Sequence, residues 1–196
     1  MKIARIVSSN SHIDYVARII DQDKEDLETP DPSNYGFGQF VSLEGERERV
    51  IGVIYDSRLV NPEYGSFAPR SGPRAELARQ NADHVQEQGI LIGILLLGTI
   101  DASGKKFHGV PPRIVPVGRD VTTLDEEAVV DFHTQNSNLH LHYYPQVVSN
   151  ARQFSIPLLG AIIDQLSAHA LESDKQRLRV LRQSLQWQGT FGAIKL

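Results

Sequence analysis

The stretch ILIGILLLGTID, Ile90–Asp101, decides the fold. Its apolar run, Ile90–Ile100, is eleven residues long, against the roughly 20 that a helix needs to cross a bilayer. A strand buried on both faces and a short core helix can both carry such a run. The residues after it favour the strand. ASGKK (residues 102–106) supplies a turn and FHGVPPRIVPVG (residues 107–118) a second strand-like stretch, so the run reads as one arm of a hairpin.

Working outward, the segments before it are also β-rich. KIARIVSS and HIDYVARII read as the first two strands, separated by a Ser/Asn turn. DQDKEDLETPDPSN, residues 21–34, is an acidic, proline-bearing solvated loop. GFGQFVSLEG and RVIGVIYDSRL read as two more strands around the charged hairpin EGERER, with Phe40, Leu43, Val50 and Val53 placed to face a core. VNPEYGSFAPRSGP, residues 60–73, is a long loop, and RAELARQNADHVQEQ, residues 74–88, has helical composition with a glycine after it to end it.

Beyond VPVGRDV the character changes. Thr123 or Asp125 can cap a helix through EEAVVDFHTQ. Two helices are expected from Ser149 to about Glu172 and from Ser173 to about Gln188. Pro157 and Gly160 start or kink the first. The expected fold class is mainly β with α: a small closed or partly open β-barrel followed by a C-terminal helical arm. The expected organisation is a barrel over 1–120 with a helical insertion near 74–88, a connector over 121–150, and the arm over 151–196.

Composition narrows function. A 196-residue chain with 40% hydrophobic and 22% charged residues can build one sizeable core. The net charge of −4 argues against a whole-surface nucleic-acid binder while leaving room for a local basic patch. There are no cysteines, which removes disulfides, thiolate zinc sites and cysteine nucleophiles together. That usage fits a reducing interior. MKIARIVSSNSH has no apolar signal core, so a soluble cytoplasmic protein without membrane contact is expected.

Three constellations carry possible chemistry. GTIDASGKK has the flavour of a phosphate loop, but five residues separate Gly98 from Gly104 where that motif needs four, and Lys106 replaces the metal-binding hydroxyl. No Gly-x-Ser-x-Gly elbow is present. FHTQNSNLHLHYYPQ, residues 132–146, holds His133, His140 and His142, with Asp131 beside them as a carboxylate. On a strand His140 and His142 would share a face, and three such nitrogens are a zinc ligand set. The plainer reading is an ordinary half-exposed strand with structural histidines. Finally, the last helix offers Leu178, Leu181, Leu185 and Trp187 as an apolar interface flanked by Arg177, Arg179 and Arg182. The basic side could meet nucleic acid or another acidic partner, while the plainer reading is an amphipathic arm that covers the barrel or pairs with another subunit.

Residues 2–133 resemble the HAS barrel, the small domain shared by HerA-type DNA translocases and the catalytic subunits of rotary ATP synthases. The similarity runs in order through KIARIVSSNSHIDYVARI, GQFVSLEGERERVIGVIYD, ILIGILLLGTIDASGKK and PPRIVPVGRDVTTLDEEAVVDFH. In HerA-type proteins an ATPase core follows the barrel, and its phosphate loop is not among these residues. The resemblance therefore implies the barrel's role alone, without cofactor or catalytic residues: assembly into a homo-oligomer, or docking of a separate ATPase or nuclease. Two alternatives stand beside this adaptor role. One is a metal-dependent enzyme using His133–His142, the other a nucleic-acid-binding accessory factor acting through the basic last helix.

Overall fold

β5, Gly89–Asp101, is the wall on which the barrel is built. In the computed structural model, which describes residues 1–20, 29–45, 48–60, 89–136 and 138–192, this strand has a neighbour along each edge. On one side it pairs antiparallel with β4, Glu48–Val60, and on the other with β2, Asp14–Ile19. Ile92, Ile94, Leu95, Leu96 and Leu97 are all fully buried, the expected state for an apolar run with covered faces.

The remaining strands close the ring. β4 pairs with β3, Phe40–Glu44, and β3 with β7, Asp120–Thr123. β7 pairs with β1, Lys2–Ser9, and β1 with β2. The result is a closed six-stranded antiparallel barrel, with a short seventh strand, β6 (Lys106–His108), added beside the far end of β5. Register breaks between Ile51 and Gly52 and between Ile54 and Asp56 on β4 mark bulges. Bulges of this kind bend long strands enough to close a barrel. Phe40, Leu43, Val50 and Val53 are buried, as their positions in the sequence suggested.

Gly98 fixes how close β6 can come. A Cβ there would lie 2.0 Å from the Phe107 carbonyl oxygen, so only glycine lets the β5–β6 backbones meet at this register. β6 is shorter than the sequence suggested. The expected strand over residues 107–118 ends at His108, and the next begins at Asp120. Pro111, Pro112 and Pro116 lie between, each without an N–H to give to a ladder. The barrel also runs past the expected boundary at 120, because β7 is its closing strand. The proposed helix over 74–88, most of the 60–73 loop and residues 21–28 of the acidic loop lie outside the described residues. Within the rest of the acidic loop, Asp31 caps a short 3-10 turn, Pro32–Tyr35, by accepting from the Ser33 amide at 2.8 Å.

Helices then cover one side. α1, Glu126–His133, is capped by Asp125, which accepts from the Ala128 amide at 2.8 Å. A two-residue hairpin pair, Thr134–Gln135 with Asn138–Leu139, leads to α2, Tyr144–Asn150. The single helix expected from Ser149 is instead broken by a 3-10 turn, Arg152–Phe154, with Arg152 in the left-handed region at φ 51°. α3, Ser155–His169, comes next with Pro157 in its first turn, and α4, Glu172–Gly192, completes the described chain. α3 buries Leu158, Leu159, Ile162, Ile163 and Leu166 and packs against α2 and α4. One continuous core therefore runs from barrel to helices. No helix among the described residues is long and apolar enough to cross a membrane.

Candidate functional site

The histidine stretch lies where α1 leaves the barrel, and its side chains divide into two kinds. His133 is fully buried at the end of α1. Its Nδ1 donates to the Val129 carbonyl at 2.6 Å, because a carbonyl can only accept. Its Nε2 must then carry the lone pair, which accepts the Tyr143 hydroxyl at 2.6 Å. Tyr143 is itself fully buried. Both ring nitrogens are thus spoken for. Burial pushes the His133 imidazolium down to a pKa of about 3, opposed by the Val129 carbonyl and helped by nearby His108, so the ring is neutral at physiological pH.

The same pair joins the two parts of the fold. Phe40 of β3 meets the His133 ring edge-on at 5.2 Å between ring centres, and Tyr143 meets it from the other side at 5.5 Å. A satisfied core histidine of this type has no lone pair left for a metal, which removes His133 from the zinc set suggested by the sequence. Asp131 leaves that set too, since its exposed carboxylate holds Lys106 at 2.6 Å.

His140 and His142 are placed differently. The strand expected to align them stops at Leu139, and both sit in the turn before α2. Their rings nevertheless approach to 4.8 Å between centres. His142 is exposed and His140 half-buried. The neighbour that sequence spacing could not supply is His108 of β6, whose ring centre lies 5.9 Å from that of His142 and 5.6 Å from that of His133. His108 Nε2 donates to the Phe132 carbonyl at 3.1 Å, while its Nδ1 is buried without a hydrogen-bond partner. Burial lowers the pKa of His108 as well, outweighing the Phe132 hydrogen bond. The only sequence signal for this approach is Gly98, which faces His108 across the ladder.

The second candidate surface, on α4, is largely used within the chain. Leu178 and Leu185 are 4% and 1% exposed and Leu181 is partly buried, so these three pack α4 onto the fold. The Arg182 guanidinium of α4 lies over Gly160 of α3. Among the described side chains of α4, Val180 and Trp187 are exposed apolar residues, at 65% and 67%. Arg177 pairs with Asp174 at 3.2 Å and Arg182 with Asp164 at 2.9 Å. Arg179 is near enough to Glu172 to join Lys175 in lowering the pKa of that carboxyl. The basic flank read from sequence is thus substantially offset by carboxylates of the same chain.

A third surface was not singled out by the sequence. β6 exposes Phe107 at 51%, and the connection from β6 to β7 exposes Val110, Ile114 and Val117, at 53%, 70% and 71%. Beside Ile114 lies a hollow of about 300 Å³ lined by Glu44, Glu48, Val50, Arg113 and Val115.

Fold and surfaces together define a closed small barrel with a helical cap and an apolar rim. The chain belongs to the family described as Domain of unknown function (DUF8166), whose model matches residues 1–195. No curated protein matches the sequence.

Proposed function

We propose that this chain is a non-catalytic assembly or adaptor module, a barrel that joins copies of itself or docks a partner such as a separate ATPase or nuclease. The observation that carries this reading is the apolar rim. Single exposed apolar residues are ordinary, but three large ones on one eleven-residue connection, Val110, Ile114 and Val117, with Phe107 exposed on the strand just before it, are the concentration expected of an interaction surface. The hollow beside Ile114 offers a socket for a partner's side chain, with Glu48 and Arg113 at its edge to fix orientation. The likeness of residues 2–133 to HAS barrels supports the same role by analogy of fold.

Light scattering coupled to size exclusion, over a range of protein concentrations, tests self-association. Co-purification from native extract, scored for ATPase and nuclease activity, tests docking. The double substitution Ile114→Asp, Val117→Asp should abolish whichever association is found while leaving the far-UV spectrum intact. A chain that stays monomeric at its highest soluble concentration and brings down neither activity contradicts the proposal. So does an association unaffected by that double substitution.

A further inference from the structure

We propose that His108, His140 and His142 form a site for one divalent transition-metal ion of the zinc class, which clasps β6 to the turn before α2. His108 is held in one tautomer. The Phe132 carbonyl can only accept, so His108 Nε2 carries the proton and Nδ1 the lone pair. That nitrogen is buried and has no partner. A buried lone pair calls for a hydrogen-bond donor or a Lewis acid, and an anion cannot serve it. A backbone carbonyl on one ring nitrogen with a free lone pair on the other is also how proteins orient a metal-binding imidazole.

One further imidazole, His142, faces His108, and His140 stands beside His142. Bonds of about 2 Å to one ion place the centres of two imidazole rings about 5 Å apart. The observed separations are 5.9 Å for His108–His142 and 4.8 Å for His140–His142. All three rings line one hollow of about 250 Å³, together with Lys106, Phe132 and Gln135. The Lys106 charge there is met by the Asp131 carboxylate, and Arg177, in the adjoining groove that His140 and His142 also line, is met by Asp174.

Among the described residues no group of three His, Asp or Glu side chains is positioned to hold a metal ion as it stands, so binding requires the ion to draw His140 and His142 in. The movement falls on His142, which is exposed, and His140, which is half-buried, both in a turn. Turning such side chains between rotamers costs far less than a three-histidine zinc site returns. The ligand set combines a buried, preoriented imidazole from the barrel side with two mobile ones from the helical side. It differs from the sequence-derived set by exchanging His133 for His108.

The test uses tag-free full-length protein stripped with chelator and titrated with Zn²⁺ by calorimetry and with Co²⁺ by visible absorption. One ion per chain is expected. His108→Leu and the surface pair His140→Ala, His142→Ala should each weaken binding at least tenfold, while His12→Ala and His169→Ala leave it unchanged. In the unsubstituted protein, Zn²⁺ should shift the ¹⁵N resonance of His108 Nδ1, a readout that holds even if His108→Leu fails to fold. No binding by the unsubstituted chain overturns the proposal. So does binding that survives the surface pair, or an Nδ1 resonance that Zn²⁺ does not move.

Discussion

Lowering the pH should unfold this protein through one histidine. His133 titrates near pH 3 in the folded chain because its buried ring cannot accept a second proton, against about 6.5 when unfolded. The unfolded state therefore binds more protons between those values, and stability must fall as pH drops through 6.5 and keep falling to about 3. At pH 5 the cost is set almost wholly by the unfolded value. At about 1.4 kcal/mol per pH unit over about 1.5 units it is about 2 kcal/mol, and it is about 3 kcal/mol at pH 4. The figure at pH 5 hardly depends on how far below 4 the folded value lies.

Urea denaturation followed by far-UV circular dichroism, from pH 7.5 to 5.0 in chelator, measures this. The comparison is the double variant His133→Phe, Tyr143→Phe, which removes both polar partners and keeps the aromatic contacts with Phe40 and Phe132. Carboxylates titrate alike in both proteins and cancel. The native chain should lose about 2 kcal/mol more than the variant over this range. Equal losses would refute the assignment of His133 as a neutral, doubly bonded core group.

Other outcomes rest on packing. Tyr143→Phe alone leaves the His133 Nε2 lone pair buried without its donor, and should cost about 1–3 kcal/mol in the same urea assay. Leu178→Ala and Leu185→Ala should each cost about 2–5 kcal/mol, whereas Val180→Ala, at an exposed position on the same helix, should change stability by less than about 0.5 kcal/mol. Gly98→Ala should strip β6 from β5, seen as fast hydrogen exchange of the Gly109 amide, which otherwise donates to the Leu97 carbonyl. Protection of that amide equal to the native level would contradict the close-approach argument. Asp125→Ala should lower stability by about 1 kcal/mol through loss of the α1 cap.

The barrel was legible because its signals are local. The run Ile90–Ile100 and the turn after it identify β5, and the spacing of Phe40, Leu43, Val50 and Val53 marks the core side of the β3–β4 hairpin. β7 was not legible, since Asp120–Thr123 is four residues long and comes after a proline-rich stretch. Only pairing with β1 and β3 makes it a strand. The histidine junction was half-visible. Sequence proximity grouped His133 with His140 and His142, but burial gave His133 to Tyr143, and the β5–β6 ladder brought in His108 from 25 residues before His133. On α4 the spacing of Leu178, Leu181 and Leu185 marks one apolar face, which packs within the chain, and periodicity cannot say whether such a face meets its own fold or another chain.

The way the ring closes also sets a timetable. β1 lies between β2 and β7, and its pairing with β7 joins Lys2 to Thr122 and Arg5 to Asp120. β2 is available almost at once, but β7 is synthesised more than 100 residues later, roughly ten seconds at common elongation rates. For that interval the β1 edge has amide and carbonyl groups with no strand to receive them, a template for any extended segment nearby. The final closure is a long-range contact, which makes it the slow step of folding. Chaperone demand should therefore be greatest for nascent chains released before residue 120, and should drop once β7 has left the ribosome.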